Sequence, residues 1–251
     1  MKLALLSDIH ANLQAMQACM AHAQLHGADR FALLGDLVGY GGNPSEVMDL
    51  VMSLASQGAW VVKGNHDDMA VHPPVNAQHI GSSTAAWTHQ QLDGHQLAFL
   101  QQLPLTITHD HVMLVHASAH NPDTWRYVDD ERSAAQCLSA AQTTHAATQH
   151  VLVGHVHHQC LFYQGHARGL MPFKPTPGVA VPFPTTRAGV VTIGSVGQPR
   201  DGDPRAMYAL LDLGLSRLTF HRVAYDHTAA AAAIRAAGLP DYFAHRLETG
   251  H

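Results

Sequence analysis

Five short clusters carry the residue types that could do chemistry in this chain: Asp8-x-His10, Gly35-Asp36, Gly64-Asn65-His66, His116 and Gly154-His155-x-His157. Each follows an apolar run of the kind that forms a buried strand. Their carboxylate, carboxamide and imidazole groups suffice to hold two metal ions side by side. Paired divalent cations can clamp both the attacking and the leaving oxygen of a phosphate ester. Carboxylate and imidazole together suit manganese, iron or zinc, and added carboxamide oxygens favour harder ions such as manganese. Asp36, placed after its strand, has two oxygens with which to bridge the ions. Gly35, Gly64 and Gly154 let the backbone turn sharply beside these groups. Type alone cannot separate ligands from bystanders, because the chain has 22 histidines. His109 and His111 repeat the spacing of His155 and His157. They lie at a turn signal without a preceding glycine, and so read as hairpin surface.

The elements that must position these clusters can be read from hydrophobic periodicity. Lys2–Ser7 reads as a buried strand and Ala11–His26 as a helix stopped by Gly27. Arg30–Leu34 is a second strand. After the loop Gly35–Gly42, Asn43 is expected to cap a helix with Pro44 at its first position and Glu46 closing a capping box. Trp60–Lys63 completes a βαβαβ run, which implies a parallel sheet with right-handed crossovers. His72–Leu103 is polar and helix-compatible, a helical insertion capping one edge. Leu105–Thr108 and His111–His116 form a hairpin turning at His109-Asp110. Ser133–Gln149 is a helix, and Val151–Val153 a strand leading into Gly154. Leu161–Tyr163, Val190–Ile193, Ala206–Leu211 and Leu215–Val223 are further strands in hairpin-like order. The Gly- and Pro-rich stretch Gly165–Arg187 reads as a long surface loop, and alanine-rich Thr228–Gly238 as a docking helix. Parallel strands followed by antiparallel ones predict two mixed sheets packed face to face, with helices outside. Ligands gather at the carboxyl ends of strands in such folds, which places every cluster on one rim.

Composition narrows the classes. A chain of 251 residues can bury one substantial core, and residues 1–251 are expected to form a single domain. The net charge of −5, with 13% charged residues and no dense Lys/Arg run, counts against nucleic acid as a partner, since duplex affinity rests on phosphate neutralisation. A small anionic substrate stays open, because bound cations supply local positive charge. Cys19, Cys137 and Cys160 are too few and too widely spaced for a disulfide framework. The start MKLALLSDIH reaches Asp8 too early for a signal peptide, and no stretch has the length of a membrane span. The cytoplasm is therefore the expected location. Oligomeric state is silent in the sequence.

The ordered pattern D-x-H, G-D, G-N-H-D, H, G-H-x-H, complete from Asp8 to His157, resembles the calcineurin-like metallophosphoesterase superfamily. The resemblance implies an α/β fold, an αββα four-layer sandwich of two mixed β-sheets flanked by helices. It further implies a dinuclear centre: Asp8, His10, Asp36 and His157 on one ion, and Asp36, Asn65, His116 and His155 on the other. His66 would face the phosphate and protonate the leaving oxygen after attack by a hydroxide bridging the metals. Leu37-Val38-Gly39-Tyr40-Gly41 follows Asp36 in place of the Asp-Arg-Gly of Ser/Thr protein phosphatases and symmetric dinucleoside-tetraphosphatases, which argues against both. The run from Gly194 to Arg205 and the final helical segment through Leu239-Pro240 look similar to small prokaryotic phosphodiesterases of the superfamily.

Secondary residues carry two readings each. Asp67 would orient His66, or be a solvated carboxylate. Tyr40 would line the substrate pocket, or pack. Arg200 and Arg205 would contact a phosphate, or pair with Asp201 and Asp203. Asn12 would cap the first helix, or reach the site. The leading function is metal-dependent hydrolysis of a small phosphodiester or phosphomonoester. The alternatives are a DNA nuclease of the same superfamily and a non-catalytic metal-binding scaffold.

Overall fold

The structure is a computed structural model that describes residues 1–76, 79–165 and 169–251. Its first sheet grows from the predicted βαβαβ unit. β1 (Lys2–Leu6) pairs in parallel with β2 (Arg30–Leu33), which pairs in parallel with β3 (Trp60–Val61). Helices α1 (Leu13–Leu25) and α2 (Pro44–Ser56) form the crossovers. Continuous apolar runs suit strands buried on both faces, and β1 shows why. Leu3 and Leu5 point into the space between the sheets, while Ala4 and Leu6 pack under the helices beside Met16, Cys19, Val47 and Val51.

After β3 come α3 (Asn65–Val71), α4 (Ala85–Gln91) and α5 (Gly94–Gln102). The helical insertion expected over 72–103 is thus represented by α4 and α5, although residues 77 and 78 within it lie outside the described residues. The hairpin β4 (Thr106–His109) and β5 (Val112–Val115) opens the second sheet. Helix α6 (Glu131–Thr144) starts earlier than expected because the Asp130 side chain accepts from Ser133 N–H and fixes its N-terminus. β6 (His150–Val153) and β7 (Gln159–Gln164) follow. The expected loop Gly165–Arg187 needs correction. It contains β8 (Leu170–Phe173), paired with β7, and β9 (Ala180–Pro182), paired with a later strand. Residues 166–168 of that stretch lie outside the described residues. Both strands are at sheet edges, where Pro172 and Pro182 cost no ladder bond.

β10 (Gly189–Ile193), β11 (Ala206–Asp212) and β12 (Arg217–Val223) complete the sheets. The orders are β3-β2-β1-β11-β12-β9 and β4-β5-β6-β10-β7-β8, two mixed six-stranded sheets. Leu114, Leu152, Val191, Ile193, Leu211 and Phe220 fill the space between them, and α6 covers the outer face of the second sheet. The fold is the αββα sandwich. The expected C-terminal helix is α7 (His227–Ala236), and a second one, α8 (Asp241–Thr249), follows it. Both pack on Tyr40, in the loop after β2, through Ile234, Phe243 and Leu247. Among the described residues, no helix is long and apolar enough to cross a membrane.

Candidate active site

The loops leaving β1, β2, β5 and β6 meet at one rim. Asp8 and His10 follow β1, Asp36 follows β2, His116 follows β5, and His155 and His157 follow β6. Asn65 and His66 open α3. Asp8, His10, Asp36, His155 and His157 all adopt left-handed backbone, with φ between 50° and 66°, and Tyr40 joins them at 63°. The chain leaving β1, β2 and β6 therefore bends abruptly beside these side chains. Close approach needs glycine at Gly154: a Cβ there would stand 2.6 Å from Asp8 Oδ2, and nearer still to Ser7 Oγ.

Three constellations adjoin: Asp8, His10 and His157 place donor atoms within 4.8 Å of one another, as do His10, Asp36 and His66, and Asp36, His116 and His155, so Asp36 belongs to two of them. His157 Nε2 lies 3.1 Å from Asp8 Oδ1, and His10 Nε2 is 3.8 Å from both Asp8 Oδ1 and Asp36 Oδ2. On the other side His116 Nε2 is 3.3 Å from Asp36 Oδ2 and 3.1 Å from Asn65 Oδ1. The imidazole tautomers follow from the outer partners. His10, His116 and His157 each place Nδ1 against a backbone carbonyl, of Val38, Leu34 and Gln198 respectively, at 3.3, 2.7 and 2.6 Å. A carbonyl only accepts, so Nδ1 carries a proton in each, and in the neutral ring Nε2 then presents a lone pair inward.

The chemistry of this set tests whether cations fit. His10 Nε2 and His157 Nε2 face each other at 3.2 Å, lone pair against lone pair. Asp8 Oδ1 is buried without a hydrogen-bond partner. At this point acceptors converge, an arrangement that positive charge stabilises and that buried polar groups otherwise avoid. The negative charge of the cluster also shows in its titration, where Asp36 draws a proton to His116. Burial alone would lower the pKa of His116, but the Asp36 charge and hydrogen bond push it up to about 10. Burial would raise Asp36 and Asp8; the charges of His116 and His66 hold Asp36 well below the usual carboxylate range, and His157 does so for Asp8. Burial lowers His10 strongly and pushes His155 down to about 4, which leaves both imidazoles neutral, the form in which an imidazole can take a metal; His116 would release its proton on doing so.

His66 is buried at the same rim. Its backbone N–H donates to Asp36 Oδ1 at 2.8 Å, and its ring packs against Tyr40 and His10 at centroid distances of 4.3 and 5.0 Å. Asp67 does not orient it. The Asp67 carboxylate instead accepts from the N–H groups of Leu37, Val38 and Gly64 at 2.8, 3.3 and 2.8 Å. It is fully buried and ties the loop after β2 to the start of α3. Burial, together with the charge of Asp36, pushes its pKa up to about 7.

An open cavity of about 260 Å³ lies over Asp36, Asn65, His66, His155 and His157, walled by Tyr40, Tyr127, Met69, His79 and Arg200. Arg200 thus stands at the site, its guanidinium donating to Gln198 Oε1 at 2.9 Å, while Asp201 pairs with Arg222 instead. Arg205 does not join it. It is half exposed and makes a two-pronged ion pair with Asp203, which also accepts from its backbone N–H. Asn12 caps α1, its side-chain oxygen accepting from Ala15 N–H at 3.1 Å, and does not line the cavity.

Sequence reasoning missed Tyr127, which stacks on His155 at 4.1 Å, and Arg246, whose guanidinium reaches the same Gln198 oxygen from α8. Neither stands in a motif or at a telling spacing.

A two-sheet sandwich with carboxylate and imidazole donors gathered at its strand ends defines the calcineurin-like class of phosphoesterases. Residues 1–215 match the calcineurin-like phosphoesterase superfamily domain, and the chain belongs to that superfamily. It is similar to a metallophosphoesterase from Sphaerobacter thermophilus, with 34% identity, full coverage of both chains and a TM-score of 0.87. It is also 29% identical to the uncharacterised protein MJ0912 of Methanocaldococcus jannaschii over 99% of this chain and 98% of that one. The hypothetical protein PH1004 of Pyrococcus horikoshii shares the fold at 18% identity and a TM-score of 0.76, over 100% of this chain and 98% of that one.

Proposed function

We propose that this protein is a metal-dependent phosphoesterase that hydrolyses a small phosphodiester or phosphomonoester. The observation that carries the reading is the inward set of lone pairs, His10 Nε2 facing His157 Nε2 at 3.2 Å beside an unpartnered Asp8 oxygen. In this reading Asp8, His10, Asp36 and His157 hold one ion, and Asp36, Asn65, His116 and His155 the other. Manganese, iron and zinc all suit these donors. Bound there, the cations supply Lewis acidity, neutralising phosphoryl charge and lowering the pKa of water.

The chain's own residues do the rest. His66 gives a proton to the leaving oxygen; one of its ring nitrogens lies within 4.8 Å of donor atoms on Asp36 and His10. Burial lowers its pKa and Asp36 pulls it back up. An anionic phosphate entering the cavity acts in the same direction as Asp36 and favours the protonated ring. Arg200 and Tyr40, on the cavity wall, bind the phosphate and its substituent. Asp67 acts through the loop it ties down and is a positioning residue. The cavity's modest volume, about 260 Å³, favours a small ester.

Purified protein loaded separately with Mn2+, Fe2+ and Zn2+ and assayed on bis-p-nitrophenyl phosphate and p-nitrophenyl phosphate tests the reading. Hydrolysis that is abolished by chelation and restored by metal is expected. Fully metallated protein inert toward both esters refutes it. A labelled oligonucleotide in the same assay separates the nuclease alternative.

A further inference from the structure

A second histidine cluster lies away from the rim. His22, in the last turn of α1, and His26, at its C-terminal cap, stack at 4.1 Å between ring centroids. His221 on β12 approaches both, at 5.1 Å from each. One ring nitrogen of each of the three lies within 4.8 Å of those of the other two. At about 1.5 Å per residue, α1 carries His22 about 15 Å from Asn12 and the rim. The cluster is thus physically separate from the phosphoesterase donors.

Two further observations distinguish it from histidines that merely crowd together. His221 is 93% buried (7% exposed), yet its Nε2 has no hydrogen-bond partner. Buried polar atoms in that condition are uncommon. Each of the two helix imidazoles has an oxygen on Nδ1: His26 Nδ1–H donates to the His22 carbonyl at 2.8 Å, and His22 Nδ1 meets the Tyr208 hydroxyl at 2.7 Å. An oxygen on Nδ1 fixes a histidine's orientation and frees its Nε2 as a ligand, as outer-sphere partners do in metal sites. Tyr208 also stacks on His221, its cross-strand partner, at 4.8 Å, so one side chain braces two of the three rings. His26 is exposed, which gives an ion a route in and leaves coordination positions for water.

We propose that His22, His26 and His221 form a second metal site that takes a borderline divalent cation, Zn2+, Ni2+ or Cu2+, and fastens α1 to β12. Three imidazoles with no carboxylate select these ions over Mg2+, Ca2+ and Mn2+, which prefer oxygen. The cation binds by displacing water, with side-chain rotation drawing the nitrogens to ordinary coordination distance. The site stands independently of the proposed hydrolysis.

Equilibrium dialysis against micromolar Zn2+ tests it, comparing wild type with His22→Gln/His26→Gln. Wild type is expected to hold about one more Zn2+ per chain and to show a larger Zn2+-induced rise in melting temperature. Diester hydrolysis by the variant stays within about twofold of wild type, since the sites are distant. His26→Gln alone, at an exposed position, decides the same comparison if the double variant does not fold. Equal zinc content and an equal melting shift in variant and wild type overturn the proposal.

Discussion

Gly154→Ala concentrates the reasoning about the rim into one methyl group. The added Cβ meets Asp8 Oδ2 at 2.6 Å and Ser7 Cβ at 2.9 Å, whereas real Cβ atoms essentially never approach a neighbour closer than 3.0 Å. Asp8 Oδ2 must retreat by about 0.4 Å or more, and packed interiors offer little room for that. The oxygen is held by Ser7 Oγ–H at 2.7 Å and by His155 N–H at 2.9 Å. Overpacking costs about 1–3 kcal/mol. Weakening two hydrogen bonds to a buried carboxylate, worth about 1.5–3 kcal/mol each when lost outright, brings the expected destabilisation to about 3–5 kcal/mol. For a chain of this size that corresponds to a fall in melting temperature of roughly 6–20 °C. Because Asp8 is also a proposed ligand, kcat/KM for the diester should fall at least about tenfold. Gly94→Ala is the control: it opens α5 with nothing within 4 Å of its Cβ, so it should be neutral or gain up to about 1 kcal/mol. Thermal melts and steady-state kinetics on both variants decide the matter. Gly154→Ala indistinguishable from Gly94→Ala would refute the packing argument.

Other expectations concern single groups. His66→Gln should keep its metal content and lose about 10²–10⁴ in kcat, chiefly toward poor leaving groups; undiminished turnover removes His66 as the acid. Arg200→Ala should raise KM for the diester with its melting temperature nearly unchanged, and Arg205→Ala should alter neither, because its guanidinium is engaged with Asp203. His150 provides a pH test away from the site. Burial, then the nearby His111, lowers its pKa from 6.5 to about 4, with its Nδ1 unpartnered and its ring stacked on Phe183. The folded state therefore keeps His150 neutral where the unfolded chain protonates. Its contribution is whole above pH 6.5 and is lost as pH falls toward 4, up to about 3 kcal/mol at 1.36 kcal/mol per pH unit. Denaturant titrations of wild type and His150→Gln between those pH values should differ in slope with that sign; parallel curves contradict it.

The parts of the fold legible in the sequence are those with local causes. Leu3-Ala4-Leu5-Leu6 and Phe31-Ala32-Leu33-Leu34 are apolar on both faces because both faces are covered, so periodicity found them. Most predicted site residues meet at the rim for a related reason: each follows a strand, and the sheets bring those strand ends together. Edge strands β8 and β9 were hidden because they exist through pairing with β7 and β12, while their own residues are mostly exposed and Pro-bearing. The capping box expected at Asn43 is absent, since the Asn43 amide donates to the Glu46 side chain instead. Tyr127 and Arg246 reach the rim from distant segments, and Asp67 turned inward to three backbone N–H groups. Only the folded chain determines such contacts.

The left-handed bends at Asp8, His10, Asp36, His155 and His157 link two selections usually treated apart. A non-glycine residue held there carries roughly 1–3 kcal/mol of strain, and Asp, Asn and His are the side chains that tolerate it best. They are also the side chains that bind metal. One short alphabet therefore satisfies the backbone and would satisfy an ion. Stabilising this protein by glycine substitution would reward changes at the very positions to which the proposed activity is assigned. A library screened for heat resistance alone should accumulate glycine at these bends and lose catalysis first.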